Sequence, residues 1–332
     1  MLAEELRRLL PADYLDALKV LVASLGPELR EDQGIFNDSW FLMPVARFVE
    51  EYGLDHPHQS LAAIEAITRR HTGEYAIRPF LKQHHDLTMR HVRQWAASES
   101  HNVRRLASEG IRPRLPWAGQ HRPFIDDPAP VLEIIDALTE DPSAFVRTSV
   151  ANNLNDISKD HPDLAVATAE RWLAREGSDR TAWIVDKGLR TLVKAGHPGA
   201  LRVLGAEADP TIAVSSIEVD PTAPAIGENM TITAVVANDG DGARDVIVDY
   251  RIHFRRADGS MKPVTFKMGR VHVEPGARVE VTKRHPFRLI KTRTYHPGLH
   301  GLTVQANGSE SDVVHFTLRA GDQASGRRST SP

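Results

Sequence analysis

Cysteine is absent from this sequence of 332 residues. Its absence excludes disulfides, thiolate nucleophiles, iron–sulfur clusters and cysteine-ligated zinc. Apolar residues never form a run close to the ~18 residues of a membrane-spanning helix. The N-terminal stretch MLAEELRRLLPADYLDALKVLVASLG carries interspersed acids and no uninterrupted apolar core. It therefore predicts an amphipathic helix pair and not a signal peptide, and we expect a soluble protein in an intracellular setting.

The common motifs of metal, acyl-transfer and nucleotide chemistry are also missing. His84, His85 and His91 have no HExxH or comparable spacing, so the histidines predict no metal site. There is no GxSxG, no phosphate-cradling glycine loop and no dinucleotide fingerprint. The sequence therefore predicts neither a bound metal nor a cofactor.

The spacing of the apolar residues changes once along the chain. Up to about Leu204 they recur every three or four residues, as helices require, and from Thr211 onward they form short β-branched runs. With 41% hydrophobic and 26% charged residues, the composition is that of a soluble globular protein long enough for two domains. We predict a helical domain over residues 1–207, an all-β domain over 211–319 and a disordered, polar tail over 320–332.

The β-rich part contains seven strand candidates, which are divided by turns such as NDGDG, ADGS and EPGA. Seven strands over roughly a hundred residues are the outline of an immunoglobulin-like sandwich, here without the usual cysteine pair. The candidates are TIAVSSIEV, MTITAVVAN, DVIVDYRIHF, VTFKMGRVHV, RVEVTKRHPF, GLTVQAN and DVVHFTLRA.

The helical part shows weak internal similarity. An apolar residue followed by arginine opens a periodic helix at Ile77, Val103 and Val146, and a His-Pro pair recurs at His161 and His197. Repeats of this size suggest stacked helical hairpins, the HEAT type of α-solenoid. Such an array offers a concave surface that binds something extended, and most arrays of this kind are protein-interaction scaffolds.

Charge is distributed unevenly. The formal net charge of −3 argues against a nucleic-acid partner. The segment from Arg69 to Arg122, however, contains eleven basic and four acidic residues, a local excess of +7. A block of this kind is either a solvated surface or a surface that tracks phosphates.

Residues 149–160, SVANNLNDISKD, combine helical apolar spacing with asparagines, which are poor helix-interior residues. The apolar positions are Val146, Val150, Leu154 and Ile157. A step of about 100° per residue places polar side chains on a neighbouring stripe, namely Ser149, Asn152, Asn153 and Asp156. This stripe is either a capping network between helices or a set of asparagine donors that keeps Asp156 ionised and pointing into a cleft.

A second polar candidate is TGEYAIRPFL, residues 72–81. Thr72 and Glu74 come just before a predicted helix. They either cap it, because acids favour the first turn, or place a second carboxylate at a site.

A third candidate is RRLASEGIRPRLPW, residues 104–117. Gly110, Pro113 and Pro116 predict that a helix ends here in an extended basic loop. Trp117 at the end of this loop is either a packing anchor or a stacking platform.

Taken together, these strings resemble a known family. FNDSWFLMPVARFVEEYGLDHP, TGEYAIRPFL, HNVRRLASEGIRPRLPW and DPSAFVRTSVANNLNDISKDHPDLA are similar, in order and spacing, to the AlkC family of bacterial DNA-alkylation-repair glycosylases. The resemblance covers about residues 30 to 200. Some members of that family carry an immunoglobulin-like domain after the solenoid, and this chain looks like one of them.

The resemblance implies a monofunctional glycosylase that removes cationic N3-methylated bases, 3-methyladenine and 3-methylcytosine, from duplex DNA without flipping the damaged nucleotide into a pocket. Carried over by motif, the carboxylates of Glu74 and Asp156 and the indole of Trp117 would form the active site. The protein would act as a monomer in the bacterial cytoplasm, at the nucleoid. The DNA-contacting residues expected from these motifs are Arg78, Arg104, Arg105, Arg112, Arg114, Arg147, Asn152, Asn153 and Lys159. In the sandwich, Lys283, Arg284 and Lys291 are further candidates for phosphate contacts.

Two other functions remain open at this point. A non-catalytic HEAT scaffold that binds DNA or protein would use Glu74 and Asp156 as structural residues, scattered or paired internally with arginines. A damage sensor would keep the cleft but tolerate the loss of Asp156. In an enzyme, both carboxylates and Trp117 would have to converge on one surface.

Overall fold

The computed structural model describes residues 2–28, 39–290 and 293–321. Helices occupy the first part of the chain and strands the last part. Trp40–Leu42 forms a short 3₁₀-helix. The α-helices are α1 (Leu2–Leu9), α2 (Tyr14–Ala23), α3 (Met43–Tyr52), α4 (Pro57–Thr68), α5 (Ile77–Gln83), α6 (His85–Ala96), α7 (His101–Glu109), α8 (Arg122–Asp126), α9 (Ala129–Asp136), α10 (Ala144–Ile157), α11 (Pro162–Glu176), α12 (Asp179–Gly188), α13 (Arg190–Lys194) and α14 (Pro198–Val203).

Helix α10 confirms the apolar pattern found in the sequence. Val146, Val150, Leu154 and Ile157 are at most 1% exposed, and burying each such side chain contributes about 2 kcal/mol. The helix packs against α7 on one side and α12 on another. Gly188 permits the close approach of α12, because a Cβ at this position would lie 2.6 Å from Leu154 Cδ2. Packing of this apolar face therefore outweighs the poor helix propensity of the asparagines.

The strands form two antiparallel sheets. One sheet has the order β1-β2-β5, and the other has β4-β3-β6-β7 with β8 also paired to β6. Met230 and Ile232 from the first sheet and Val248 and Leu302 from the second share one buried core, as the alternating pattern of a sandwich requires. The strands are β1 (Ile212–Asp220), β2 (Asn229–Asn238), β3 (Arg244–Arg255), β4 (Met261–Val273), β5 (Arg278–Pro286), β6 (Gly298–Ala306), β7 (Ser309–Glu310) and β8 (Val314–Leu318).

The predicted order of a helical part followed by an antiparallel β-sandwich is confirmed. The seven strand candidates correspond to β1 to β6 and β8, whereas β7 has only two residues and is too short for an alternating pattern. Helices give way to strands between Val203 and Ile212, around the predicted joint. None of the described helices has the length and apolar character needed to span a membrane.

The chain divides into two compact units, Met1–Arg190 and Thr191–Pro332. Helix α14 therefore belongs to the same unit as the strands, although the apolar spacing assigned it to the helical domain. The predicted disordered tail, 320–332, lies outside the described residues except for its first two positions. The candidate site residues lie in the first unit, apart from the basic residues on the sandwich.

Candidate active site

Glu74 lies in the turn between α4 and α5, and this turn fixes its carboxylate. Thr72 Oγ1 donates a hydrogen bond of 2.9 Å to Glu74 Oε2 and accepts one of 3.3 Å from the Glu74 backbone N–H. Gly73 packs so closely on α4 that a Cβ would lie 2.6 Å from Ile64 Cγ2. Thr72 thus caps the turn that leads into α5, whereas Ala76, the N-cap of α5 itself, makes no side-chain hydrogen bond.

Arg105 on α7 is the direct partner of Glu74. Its Nη1 contacts Glu74 Oε2 and donates to Thr72 Oγ1 at 3.1 Å. Its Nη2 lies 3.5 Å from Glu109 Oε1, and its guanidinium carbon lies 4.9 Å from the centre of the Phe145 ring. The buried guanidinium is therefore shared between two carboxylates inside the protein.

Glu109, which the sequence analysis did not select, joins Arg105 to Arg112. Arg112 Nη1 donates to Glu109 Oε1 at 2.7 Å. Burial raises the pKa of Glu109, but the charges of Arg105 and Arg112 together with hydrogen bonds from Ser149 and Arg112 lower it by more, so this pKa lies below its usual value. The sequence did contain a signal, because residues 105, 109 and 112 have helical spacing and alternating charge.

Asp156 lies in the last turn of α10 and is 1% exposed. Arg112 Nε donates to Asp156 Oδ2 at 2.8 Å, and Lys159 Nζ donates to Oδ1 at 3.0 Å. The prediction that asparagines hold this carboxylate is wrong in its choice of donors. Asn153 points toward α7 instead and donates to the backbone oxygen and hydroxyl of Ser108 at 2.8 and 2.9 Å. Asn153 thus fits the inter-helix alternative.

The two predicted carboxylates belong to one continuous chain of ion pairs, which we call the carboxylate network. It runs from the turn before α5, across α7 and the residues that follow it, to the end of α10. Acidic and basic side chains alternate along it, and all but the last are buried. Its members, in order, are Glu74, Arg105, Glu109, Arg112, Asp156 and Lys159.

Trp117 belongs to the segment that follows α7, residues 110–119, which we call the tryptophan loop. Its side chain is 94% exposed, and its backbone has a φ of 60°, in the left-handed region that bulky residues rarely adopt. The packing-anchor alternative for Trp117 is therefore wrong, because a packing anchor would be buried.

Arg78 on α5 forms hydrogen bonds to the backbone of the tryptophan loop. Its Nη1 donates to the carbonyl oxygens of Gly110 at 3.3 Å and Arg112 at 2.7 Å, and its Nη2 donates to Gly119 at 2.8 Å. Burial, with the positive charge of Arg112 nearby, lowers the pKa of Arg78 to about 10. The side chain is thus still a cation at neutral pH, and it donates its hydrogen bonds to backbone oxygens of the protein.

A cavity of about 640 Å³ lies beside these elements. Trp117 lines it from the tryptophan loop, and Thr72 and Tyr75 line it from the two sides of Glu74. Burial raises the pKa of Tyr75 to about 12, and the charge of Glu74 adds to this effect. The structure thus brings Trp117 and the turn that carries Glu74 to one concave surface.

Two of the predicted DNA-binding arginines, Arg104 and Arg147, bind groups of the turn that precedes α10. Arg104 forms a two-pronged ion pair with Asp141, with distances of 2.6 and 3.0 Å. Arg147 Nη1 donates to the carbonyl oxygens of Asp141 at 2.6 Å and Pro142 at 2.8 Å. These contacts order the turn before α10, and a role for either arginine in DNA binding stays a prediction.

Two further candidates make contacts nearer the surface. Arg114 pairs with Asp160 through two hydrogen bonds of 3.0 and 2.7 Å. Asn152 accepts a hydrogen bond of 3.1 Å from Arg190, at the end of the first unit. A role for either residue in DNA binding stays a prediction; the Arg114 pair is at the surface, where ion pairs are weak.

Basic residues with exposed side chains are a smaller set than the charge count suggested. Many arginines between residues 69 and 122 bind carboxylates or carbonyls of the protein. Lys291 lies outside the described residues. Exposed cations that can meet a phosphate include Lys82, Lys159, Lys283 and Arg284.

Within residues 2–28, 39–290 and 293–321, no group of three or more His, Asp or Glu side chains is arranged to hold a metal ion. The two carboxylates of interest face guanidinium and ammonium groups instead.

Two families match the chain, one in each part. Residues 71–192 match the family described as DNA alkylation repair enzyme. Residues 213–320 match the C-terminal Ig-like domain of the uncharacterised protein YhaZ, which confirms the immunoglobulin-like prediction. The first match contains Glu74, Trp117 and Asp156.

Two relatives cover nearly the whole chain. The uncharacterized protein YhaZ of Bacillus subtilis (strain 168) is 35% identical over 309 residues, which are 93% of this chain and 83% of that protein. A solved structure of Pseudomonas fluorescens alkylpurine DNA glycosylase AlkC, bound to DNA containing an abasic site analog, is 32% identical with a TM-score of 0.87. This similarity covers 96% of this chain and 86% of that one. The chain belongs to the AlkC family of DNA alkylation-repair glycosylases.

Proposed function

We propose that this protein is a DNA glycosylase that excises cationic N3-methylated bases, 3-methyladenine and 3-methylcytosine, from duplex DNA. It hydrolyses the bond between the base and the sugar and leaves the DNA backbone intact. Family membership supports the reaction class. The observation that carries the proposal is that Trp117 lines one cavity together with Thr72 and Tyr75, the neighbours of Glu74 in its turn. Glu74 and Asp156 are buried and are not among the lining residues, and the carboxylate network connects them to each other.

The chemistry of the substrate explains why so few groups are needed. Methylation at N3 leaves the base positively charged, so the base departs as a neutral molecule when it takes the electron pair of the glycosidic bond. No general acid is required for that step. The remaining barrier is the free energy needed to form the oxocarbenium-like sugar as the bond lengthens. Carboxylates stabilise the same kind of cation in glycoside hydrolysis.

Glu74 and Asp156 are suited to stabilise this developing cation. A preorganised charge is worth on the order of 3 kcal/mol when it faces charge that appears only in the transition state. The arginine partners hold both carboxylates in one geometry, so little reorganisation accompanies the reaction. One carboxylate also orients the attacking water, whose oxygen bonds to the sugar carbon while its proton passes to solvent.

Access to Asp156 requires one partner to move, because the carboxylate is covered in the free protein. Lys159 is the most exposed member of the carboxylate network, with 38% of its side chain accessible. A DNA phosphate attracts the same ammonium group that Asp156 binds. In this proposal Lys159 turns to the phosphate when DNA binds, and Asp156 Oδ1 becomes free to face the sugar.

Trp117 recognises the charge of the lesion. An indole ring attracts a cation by about 1 to 2 kcal/mol in a partly desolvated site, and it does not attract a neutral base in this way. Because the indole projects into solvent, a damaged base can meet it at the surface of the protein. This geometry supports excision without flipping the nucleotide into an enclosed pocket.

The scaffold alternative is supported by one feature, namely the pairing of both carboxylates with buried arginines. Duplex oligonucleotides carrying single 3-methyladenine or 3-methylcytosine lesions separate the two functions. The enzyme releases free base, which chromatography detects, and leaves an abasic site. A scaffold or a damage sensor binds the same duplexes and releases none.

Replacing Trp117 by alanine is expected to slow excision of 3-methyladenine about tenfold, which corresponds to losing ~1.4 kcal/mol of cation–π attraction. Trp183→Ala is the matched control, because Trp183 is also exposed, at 40%, and lies on α12. Single-turnover rates on one duplex compare the variants. Equal rates for wild type and Trp117→Ala would remove Trp117 from the mechanism.

Binding to undamaged duplex is expected to weaken steeply with salt, since exposed lysines and arginines release counterions from the phosphates they neutralise. Each contact contributes about 0.9 to the log–log slope. Lys82→Ala and Lys283→Ala should each make the slope shallower by roughly that amount. Fluorescence anisotropy at several salt concentrations measures this, and an unchanged slope in both variants would exclude these two lysines from the interface.

A further inference from the structure

The position of Trp117 needs an explanation, because nothing in its own side chain holds it. The ring is exposed, and the backbone adopts a left-handed conformation that disfavours a residue with a Cβ. Such a conformation persists only when surrounding contacts impose it. The contacts that impose it here must therefore act on the backbone of the tryptophan loop.

Arg78 supplies contacts at both ends of the loop. Its hydrogen bonds reach Gly110 and Arg112 at the beginning and Gly119 at the end, so one planar guanidinium sets the distance between the two ends. Other contacts each hold one part of the loop, such as the 3.4 Å bond from the Tyr75 hydroxyl to Pro116 O, the two bonds from Arg114 to Asp160 and the 3.0 Å bond from His121 N to Pro113 O. Arg78 lines the same cavity as Trp117, but it is only 7% exposed, so little of it is accessible to a phosphate.

We propose that Arg78 is a positioning residue that holds Trp117 at the cavity, and that it acts on excision through Trp117 alone. This inference rests on the role of Trp117 in the proposed function. It replaces the expectation that Arg78 contacts DNA. Arg78 and Glu74 flank the start of α5, so the same short segment sets the position of a carboxylate and of the indole.

Fluorine NMR of protein labelled with fluorotryptophan tests the positioning directly. The chain has five tryptophans, and Trp117→Phe identifies the resonance of Trp117. We expect Arg78→Met to shift or broaden that resonance, whereas Arg90→Met, the same change at an exposed arginine on α6, leaves it in place. A Trp117 resonance in Arg78→Met identical to that of wild type would overturn the proposal.

Correct folding is checked in the same spectra. Trp95 and Trp172 are each 1% exposed, and their resonances report on the helical core. If Arg78→Met perturbs those two signals, Arg78→Lys takes its place. A lysine keeps the charge but lacks the planar fork of the guanidinium, so it is less suited to bind both ends of the loop in one geometry. The expected result is then a moved Trp117 resonance in Arg78→Lys with unchanged Trp95 and Trp172 signals, and an unmoved one would again contradict the proposal.

A double-mutant cycle tests whether Arg78 acts through Trp117. Arg78→Met should slow single-turnover excision by about as much as Trp117→Ala, roughly tenfold, and the double variant should be no slower than either. Losses that multiply would show an independent role and overturn the proposal. So would a salt slope of DNA binding that falls by ~0.9 in Arg78→Met, the signature of a lost phosphate contact.

The two claims fail in different ways. If Trp117→Ala excises at the wild-type rate, the role of Trp117 in the proposed function is wrong, and the claim that Arg78 acts on excision falls with it. The claim that Arg78 positions the indole is still decided by the fluorine spectra. If Trp117→Ala is slow and Arg78→Met is as fast as wild type, only the inference about Arg78 is wrong.

Discussion

Replacement of Asp156 by asparagine is expected to lower the rate of 3-methyladenine release by about two to three orders of magnitude. The change removes a negative charge and keeps the size of the side chain. An asparagine oxygen can still accept the hydrogen bond from Arg112, and Arg112 keeps its ion pair with Glu109, so the loss of stability should be smaller than that of a change at Glu109 and the fold should be kept. Single-turnover assays on a lesion duplex measure the rate, and anisotropy measures binding.

Asp160→Asn is the matched control for this prediction. It removes one negative charge four residues further along the chain, where Asp160 pairs with Arg114 at the surface. This variant should excise at close to the wild-type rate. Wild-type release by Asp156→Asn would show that Asp156 has no part in the chemistry, and an equally slow Asp160→Asn would trace the effect to general electrostatics.

Replacement of Glu109 by glutamine should have the largest effect on stability. Glu109 is the only carboxylate between Arg105 and Arg112 in the carboxylate network, and the change leaves two buried guanidinium groups with one compensating charge fewer. Removing one partner of a buried ion pair lowers the free energy of unfolding by about 3 kcal/mol or more. Urea unfolding of the full chain, followed by its helical circular dichroism, measures the loss.

Glu133→Gln serves as the comparison. Glu133 pairs with Arg93 across the surface, where both side chains are about half exposed, and an exposed pair contributes at most about 1 kcal/mol. If the two variants unfold at the same urea concentration, the carboxylate network makes no special contribution to stability. In the proposed mechanism Glu109→Gln should also slow excision, because Arg105 and Arg112 orient Glu74 and Asp156.

The stability gap between wild type and Glu109→Gln should depend on pH. The pKa of Glu109 is lower in the folded protein than in the unfolded chain, since Arg105 and Arg112 outweigh the effect of burial. A group of this kind stabilises the fold above its unfolded pKa, and the contribution disappears as pH falls through the folded value. The difference in free energy of unfolding between the two proteins should be constant near neutral pH and should shrink at acid pH. A gap that widens in acid would contradict this account.

Periodicity was sufficient to predict the order of the elements. The spacing of Val150, Leu154 and Ile157 predicts α10 correctly, and Gly110 with Pro113 predicts the end of α7. These features are local, because an apolar stripe and a helix-ending residue act within one or two turns. The boundary between compact units was not predictable in this way, because α14 has a helical pattern whichever unit it packs in.

The partners of the site residues were not predictable from local pattern. Asp156 was expected to bind asparagines that are close in sequence, but it binds Arg112, which is 44 residues away. The partner of Asp156 depends on which face of α10 packs against α7. Tertiary packing determines that face, and local sequence pattern does not. Glu109 was missed for a different reason, since an acid between arginines on a helix ordinarily indicates a solvated surface pair.

The carboxylate network has as many positive as negative groups, so its formal charges cancel. A neutral cluster produces a weak field beyond its own dimensions, and it therefore concentrates few magnesium ions or polyamines from the cell. A cationic nucleotide would feel an individual carboxylate only on direct contact. Preference for a cationic base over abundant small cations would therefore have to come from direct contacts, such as stacking on Trp117, and not from long-range attraction.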